Sequence, residues 1–532
     1  MQRFRCAFFR VVVLIGLSAF IVTVDTHTAQ AEKGMIRVLL TFPGITNRVT
    51  VSLDGSYTLG ELCFQRGSVL IISSASGSLN VYYEGMAFDA GKELRLVRHE
   101  VDVGEENGIR LEGMYPLYCG DLVLSVNDKS ITAVLHITVE EYLLGVVPWE
   151  MSDSFSLEAL KAQAIAARTY ALSRAGGSGK YDVTDNTNDQ VYRGWQKEHV
   201  NSARAVTETK GICGFYRGQP ALCYYTASNG GQVEIPSHVW GGEENTYITQ
   251  HTDQYDLENP ESPVVTARIA KKAKDGMLGN EAFTRLVMAE IKKQAEKTLD
   301  ETADIRITEV QEIGLQHPAY GKDSALMTQM MITCLLDGKG KSVTVALPVF
   351  PDAEYALGLS LNTEDNEIWT ARDAGEEYVI EARRYGHGVG LSQRGAQWMA
   401  DRYGWTYEQI FRFYYPGLEL KKADTDVTPA PAVRSDFLAT PGPAATPTPR
   451  PTLMPVTSEL KAGEWKAIVN GIGANSSLNL RSAPGMQADV IRLLYYGQEL
   501  IVEETLPDGW LKVRTDAVDG YVMAKFTEKI PD

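Results

Sequence analysis

The sequence predicts an α+β protein: a mostly β main domain with one key buried helix, a Pro-rich linker, and a small C-terminal β-barrel. Three observations carry this. Residues 35–140 hold runs such as IRVLLTF, RVTVSL, SVLIISS, ELRLVR and ITAVLHITV, divided by Gly, Asn and Asp turns. Residues 156–174 are alanine-rich with helical spacing. Eight prolines lie between Pro429 and Pro455, and residues 464–530 then return to strand patterning. At 532 residues, the chain is expected to hold roughly two or three domains.

At the N-terminus, Arg3, Arg5 and Arg10 precede an apolar run from Val11 to Val24, and Ala29-Gln30-Ala31 offers small residues for cleavage. That run is shorter than the roughly twenty residues of a membrane span. Residues 1–31 therefore read as a signal peptide, with an uncleaved anchor as the alternative, and either places the folded part outside the cytoplasmic membrane. The net charge of −17 argues against nucleic acid or an anionic membrane surface as partner. Uncharged glycan fits better.

The segment GVVPWEMSDSFSLEALKAQAIAARTY at 145–170 places one carboxylate, Glu150, on a Pro-stiffened turn before the helix. Ser156 is expected to cap that helix, with Glu158 in its first turn. Leu157, Leu160, Ala164, Ala167 and Ala171 predict one apolar face. Val146, Val147, Trp149 and Met151 surround Glu150 with apolar atoms, a setting that raises a carboxyl pKa towards general-acid use. The plain alternative is a Glu that merely favours the helix start.

Further on, Cys213 and Cys223 flank FYRGQPAL, a hairpin around Gly218. A three-residue loop there makes them cross-strand neighbours, either bridged or two buried thiols. Residues 204–233 read as strand–turn–strand, 267–299 as one or two surface helices, and 304–380 as strands again. The segment YDVTDNTNDQVY reads as a solvated loop, and without CxxC or HExxH patterns no metal or cofactor is expected. His387 stands between Gly386 and Gly388, as a cleft residue or a hydrogen-bonded core histidine. LSQRG lacks the strained elbow of a nucleophilic serine, so a Ser–His hydrolase is disfavoured.

In several separated motifs the chain resembles the stage II sporulation protein D / amidase-enhancer family. Its first signature corresponds to GVVPWEM followed by EALKAQAIAARTYAL, and its C-terminal signature to GHGVGLSQRGAQWMA at 386–400 and YEQIFRFYYPG at 407–417. QVYRG at 190–194, YYTASNGG at 224–231 and VWGG at 239–242 fall between them in the same order, and the similarity spans about residues 35–420. Asn229 departs from the usual Ser-Gly-Gly. The resemblance implies a peptidoglycan lytic transglycosylase acting on peptide-stripped glycan strands, with Glu150 as catalytic acid. Arg168, Tyr170, Gln190, Tyr192, Ser228, His387, Ser392 and Gln393 are the substrate-positioning candidates.

Hydrolysis normally recruits a second carboxylate. A transglycosylase needs one, because the sugar's own 6-hydroxyl closes the ring. Asp182, Asp185, Asp189 and Asp253 keep a two-carboxylate muramidase open at this stage, and a non-catalytic, wall-binding enhancer of a partner amidase is the other alternative. Residues 421–462 form the linker, reaching on the order of 120 Å if extended. In 463–532, the pieces LNLRSAPG, YGQELIV, GWLKV and GYV resemble the bacterial Src-homology-3-like wall-binding module. Tyr495, Tyr496, Trp510 and Tyr521 are its aromatic candidates, for ligand or for core.

Overall fold

Alternation in residues 35–140 produces two sheets rather than one. In the computed structural model, Val183–Thr184, Met35–Leu39, Ser130–Thr138, Asp121–Asn127, Glu93–His99, Ser56–Leu59 and Leu62–Phe64 form a seven-stranded sheet in that order. Met86–Asp89, Ser78–Tyr83, Val69–Ala75, Arg48–Leu53 and Ile109–Leu111 form a five-stranded one. Inward residues such as Ile36, Val38, Val49, Val51, Leu122 and Leu124 are fully buried, as period-2 patterning demands. The structure describes residues 34–432, apart from 128–129, 243–245, 299–304, 338–341, 363 and 428–429. It also describes 460–530, apart from 462, 471–476, 486–487, 489, 496, 507–508 and 516–517. The leader and most of the linker fall outside these ranges. The chain divides into two units, Met1–Arg434 and Ser435–Asp532.

The helix Leu157–Arg174 is central to the first unit. It buries residues all round, from Ala159 to Ala171, instead of presenting one apolar face. Alanine makes this possible, because small side chains let neighbours close in from every side. Ser156 makes no side-chain cap hydrogen bond and instead bonds Asp401. Glu158 accepts from Lys161 and from the Tyr407 N–H.

Three readings of the elements are corrected. Residues 200–208 form a helix, Val200–Glu208, because Ser202, Ala205 and Val206 bury at helical spacing. Residues Val264–Ala270 form a strand paired with Glu377–Arg383, and the turn at Asp275-Gly276 precedes the single helix Glu281–Thr298. The hairpin at Gly218 has a two-residue loop, Arg217-Gly218, pairing Tyr216 with Gln219. One residue fewer in the loop moves Cys223 out of register with Cys213. Both are free, buried thiols, and burial pushes Cys213 up to about 12.

Residues 264–383 build a core of their own from Phe283, Val287, Ile332, Val345, Trp369 and Ile380. It joins the sheet of Val264–Ala270, Glu377–Arg383 and Ile368–Asp373 to that of Ile307–Pro318, Met327–Leu336 and Ser342–Pro348. The second unit is one antiparallel sheet of seven strands around Ala467, Leu480, Leu500, Val513 and Val522. Trp510 belongs to its buried interior and Tyr521 is partly exposed. The side chains of Tyr495 and Tyr496 lie outside the described residues.

Candidate functional site

Glu150 ends a one-turn helix, Val147–Glu150, whose first turn holds Pro148. Gly145, just before it, is where the QVYRG segment crosses. A Cβ on Gly145 would stand 2.5 Å from the Tyr192 ring, so only glycine permits the approach. Arg193 N–H donates to the Gly145 carbonyl at 3.0 Å, and Val191 N–H donates to Glu150 Oε1 at 2.9 Å. The neighbouring side chains of Tyr225 and Gln393 favour its charged form.

The second glycine–histidine block reaches this place by a parallel pairing, Tyr225 with Leu391 and Thr226 with Ser392. Gly390, at φ +73°, makes the contact possible: a Cβ there would lie 2.0 Å from the Tyr224 carbonyl oxygen. Chain segments more than two hundred residues apart in sequence thus meet at one carboxylate.

Glu150 keeps part of its surface exposed, yet its carboxyl is pressed among its neighbours. Burial raises its pKa, while the Val191 N–H, Tyr225, Gln393 and the charge of Arg193 oppose that rise. Val146, Val147 and Met151 pack into the core beneath it, whereas Trp149 is 43% exposed and meets His199 edge-on. Arg193 lies over the Phe42 ring at 3.9 Å and donates to the Asp185 and Tyr192 carbonyls.

His387 is partly exposed beside Tyr224 and the half-exposed Trp240, with ring centroids 6.3 and 5.0 Å away. Its Nδ1 accepts from the Val389 N–H at 2.9 Å. Burial, then the nearby Arg384 charge, lowers its pKa to about 4, so the ring is neutral at pH 7.

Of the remaining candidates, the structure brings Gln393 to Glu150 and places Gln190 one side chain away, bonded to Tyr225 Oη at 3.0 Å. Tyr170 is nearly buried and donates to Asp189 at 3.0 Å. Four others are buried and engaged within the fold. Arg168 is fully buried, paired with Glu140 at 2.8 Å and donating to Thr209 Oγ1 and the Val206 and Ile212 carbonyls. Tyr192 packs between Tyr118 and Tyr142. Ser228 donates to Asp256 at 2.8 Å, and Ser392 caps the helix Gln393–Tyr403 while bonding the same Asp256.

The sequence reading named neither Tyr225 nor Arg193 as a site residue. Both lie inside the quoted motifs, and a polar residue next to an assigned one in such a motif was the available signal. The four aspartates are also engaged. Asp182 pairs with Arg37 at 2.6 Å, and Asp185 accepts from the Thr41 and Phe42 N–H groups. Asp189 accepts from Tyr170 and Thr184, and Asp253 from Tyr414, Asn229 and the start of the helix Gln254–Glu258. The YDVTDNTNDQVY segment is therefore no solvated loop, since Asp182 and Asp185 turn inward onto the first strand and its continuation and Asp189 onto Tyr170 and Thr184. Asn229, the family departure, bridges Asp253 and the Asp256 carboxyl.

Fold and site together define a strand-rich α+β protein that presents one carboxylate of raised pKa at the meeting point of separated glycine-rich motifs. Residues 127–216 match the family model for the Stage II sporulation protein, and residues 476–528 match that for the bacterial SH3 domain. The chain carries both domains. It is similar to the amidase enhancer of Bacillus subtilis (strain 168), 29% identical over 290 residues. That alignment covers 52% of this chain and 40% of the enhancer, so the chain spans about two-fifths of that relative's length. Stage II sporulation protein D of the same organism is 26% identical over 330 residues, 59% of this chain and 83% of that protein. An uncharacterized protein of Brachyspira hyodysenteriae is 24% identical over 407 residues, covering 74% and 94%.

Proposed function

We propose that the protein is an exported peptidoglycan lytic transglycosylase, cleaving the MurNAc–GlcNAc bond of peptide-stripped strands with Glu150 as its acid and base. The setting of Glu150 carries the reading. Burial favours its protonated form, which gives the proton to the leaving glycosidic oxygen as the C1–O bond breaks. The resulting carboxylate is favoured by the Val191 N–H, by Tyr225 and Gln393 and by the Arg193 charge, then takes the proton from the sugar's 6-hydroxyl as that oxygen bonds to C1. No water is consumed, and a 1,6-anhydro end results.

The engagement of Asp182, Asp185, Asp189 and Asp253 in structural hydrogen bonds supports this one-carboxylate route over a muramidase. Gln393 and the His387–Trp240 surface are the substrate-positioning groups we favour. The leader-like N-terminus supports export to the cell wall or the outer face of the cytoplasmic membrane. The bacterial SH3 domain supports wall attachment.

A second reading, a non-catalytic wall-binding enhancer of a partner amidase, is favoured by the name of one relative, the amidase enhancer. Digestion of naked glycan strands separates them. A transglycosylase releases 1,6-anhydro ends, seen by mass as loss of water, and Glu150→Gln abolishes them. A muramidase leaves reducing ends. An enhancer releases neither and is unaffected by Glu150→Gln.

A further inference from the structure

Exposure alternates along residues 190–195: Gln190, Tyr192 and Gly194 are buried, while Val191, Arg193 and Trp195 keep surface. Two backbone bonds tie this stretch to the Glu150 turn, Val191 N–H to Glu150 Oε1 at 2.9 Å and Arg193 N–H to the Gly145 carbonyl at 3.0 Å. Arg193 therefore stands on the partly exposed side of the segment that supports the acid. Its guanidinium is fixed at one corner. Nη1 donates to the Asp185 carbonyl at 2.6 Å and the Tyr192 carbonyl at 2.9 Å, and Cζ lies 3.9 Å from the centre of the Phe42 ring. None of these contacts supplies a negative charge. Arg168 is paired with Glu140 and Arg174 reaches Asp189 at 3.6 Å, but Arg193 has no carboxylate partner among the described residues. Nε and Nη2 form the edge that grips a carboxylate with two parallel bonds. They donate to no described residue, and neither is sealed from solvent.

We infer that Arg193 reads the stripped state of the strand, its Nε–Nη2 edge taking the free carboxylate of the MurNAc lactyl group beside the bond that Glu150 cleaves. This rests on the glycan reading of the site and names the group that Arg193 recognises. Removal of a stem peptide breaks the amide at the lactyl carbonyl and leaves a carboxylate. A strand that keeps its stems carries a neutral amide there, with one acceptor and no charge. The lactyl group sits on C3 of the sugar whose C1 is attacked, so its reader must neighbour the acid, as Arg193 does. The chain as a whole, at −17, offers an anion no general attraction, and a local cation has to supply it. A half-buried guanidinium pairs more strongly than one on open surface, because water screens it less. The anchored Nη1 and the Phe42 contact also mean that little side-chain freedom is lost on binding.

Binding is read by calorimetry on the full chain carrying Glu150→Gln, which removes both cleavage and any effect of Arg193 on the acid. The probes are a soluble naked-strand oligosaccharide and the same oligosaccharide with its lactyl carboxylates converted to methylamides. Methylamidation should weaken binding roughly ten- to a hundredfold, the range for a hydrogen-bonded charged pair. Adding Arg193→Gln should weaken binding of the free acid by a similar factor and leave the two probes equal. Arg193→Lys keeps the charge without the fork and should retain only part of the preference. It replaces Arg193→Gln if that variant does not fold. Equal binding of the two probes by the Glu150→Gln chain overturns the inference, as does a preference undiminished in either Arg193 variant. Binding of neither probe overturns it too. No bond is broken in this assay. A chain that releases no 1,6-anhydro ends therefore defeats the transglycosylase reading, while binding still decides the role of Arg193.

Discussion

Glu150 is pulled in two directions, and the balance is what suits it to both halves of a proton cycle. Burial favours the acid, while the Val191 N–H and the Tyr225 and Gln393 side chains favour the anion. Activity on naked strands should fall as pH rises through the raised Glu150 pKa, because the protonated form starts the reaction. His387, lowered to about 4, stays neutral across that range, so His387→Asn should leave the position of this limb in a pH–rate profile unchanged. Glu150→Gln should lower turnover by roughly 10²–10⁴-fold without lowering the melting temperature. Asp253 shows the same physics applied to stability. Burial, then the neighbouring Asp256, pushes its pKa from 3.8 to about 6. A carboxyl whose pKa is raised by folding stabilises the native state below its unfolded pKa and loses that contribution as pH rises. Stability should therefore fall by roughly 2 kcal/mol between pH 4 and pH 7 on this account. Denaturant melts of Asp253→Asn should lack that slope, whatever its absolute stability.

The helix Leu157–Arg174 owes its place to side chains too small to hold neighbours off. Overpacking it should be costly: Ala164→Leu, at a fully buried position, should destabilise by about 1–3 kcal/mol in urea melts. Arg168→Ala on the same helix should cost about 3–5 kcal/mol, because it leaves Glu140 facing an emptied, buried site. Substitution of a sugar-binding arginine would instead raise KM and spare the fold. This element also shows what the sequence could and could not reveal. The Glu150 turn and the helix were legible, because Pro148 and the alanine run leave few alternatives. The role of Arg168 was not, since its partner Glu140 is 28 residues away and only the fold brings them together. Tyr192 and Ser228 were opaque for the same reason: their partners Tyr118, Tyr142 and Asp256 are distant in sequence. The strand Val264–Ala270 was misread because its lysine-rich continuation has helical spacing, while its actual partner, Glu377–Arg383, lies over a hundred residues on.

At the level of the whole chain, the two units have separate hydrophobic cores, and the proline-rich segment between them belongs to neither pattern. A core of Ala467, Leu480, Leu500, Val513 and Val522 gives the second unit its own reason to fold. The groups that favour the Glu150 anion, the Val191 N–H and the Tyr225 and Gln393 side chains, all belong to the first unit. Chemistry and attachment are therefore expected to separate on cutting the chain. A protein ending at Arg434 should cleave soluble naked strands at a rate within about twofold of the full chain, since no active-site group is lost. On intact sacculi it should fall further behind, because tethering to the wall raises local substrate concentration without altering the site. Co-sedimentation with purified wall should follow the opposite pattern, retained by residues 460–532 alone and lost from the truncated chain. Equal loss of activity on soluble strands and on sacculi would mean that the second unit supports the first directly, and the tethering account would then be wrong.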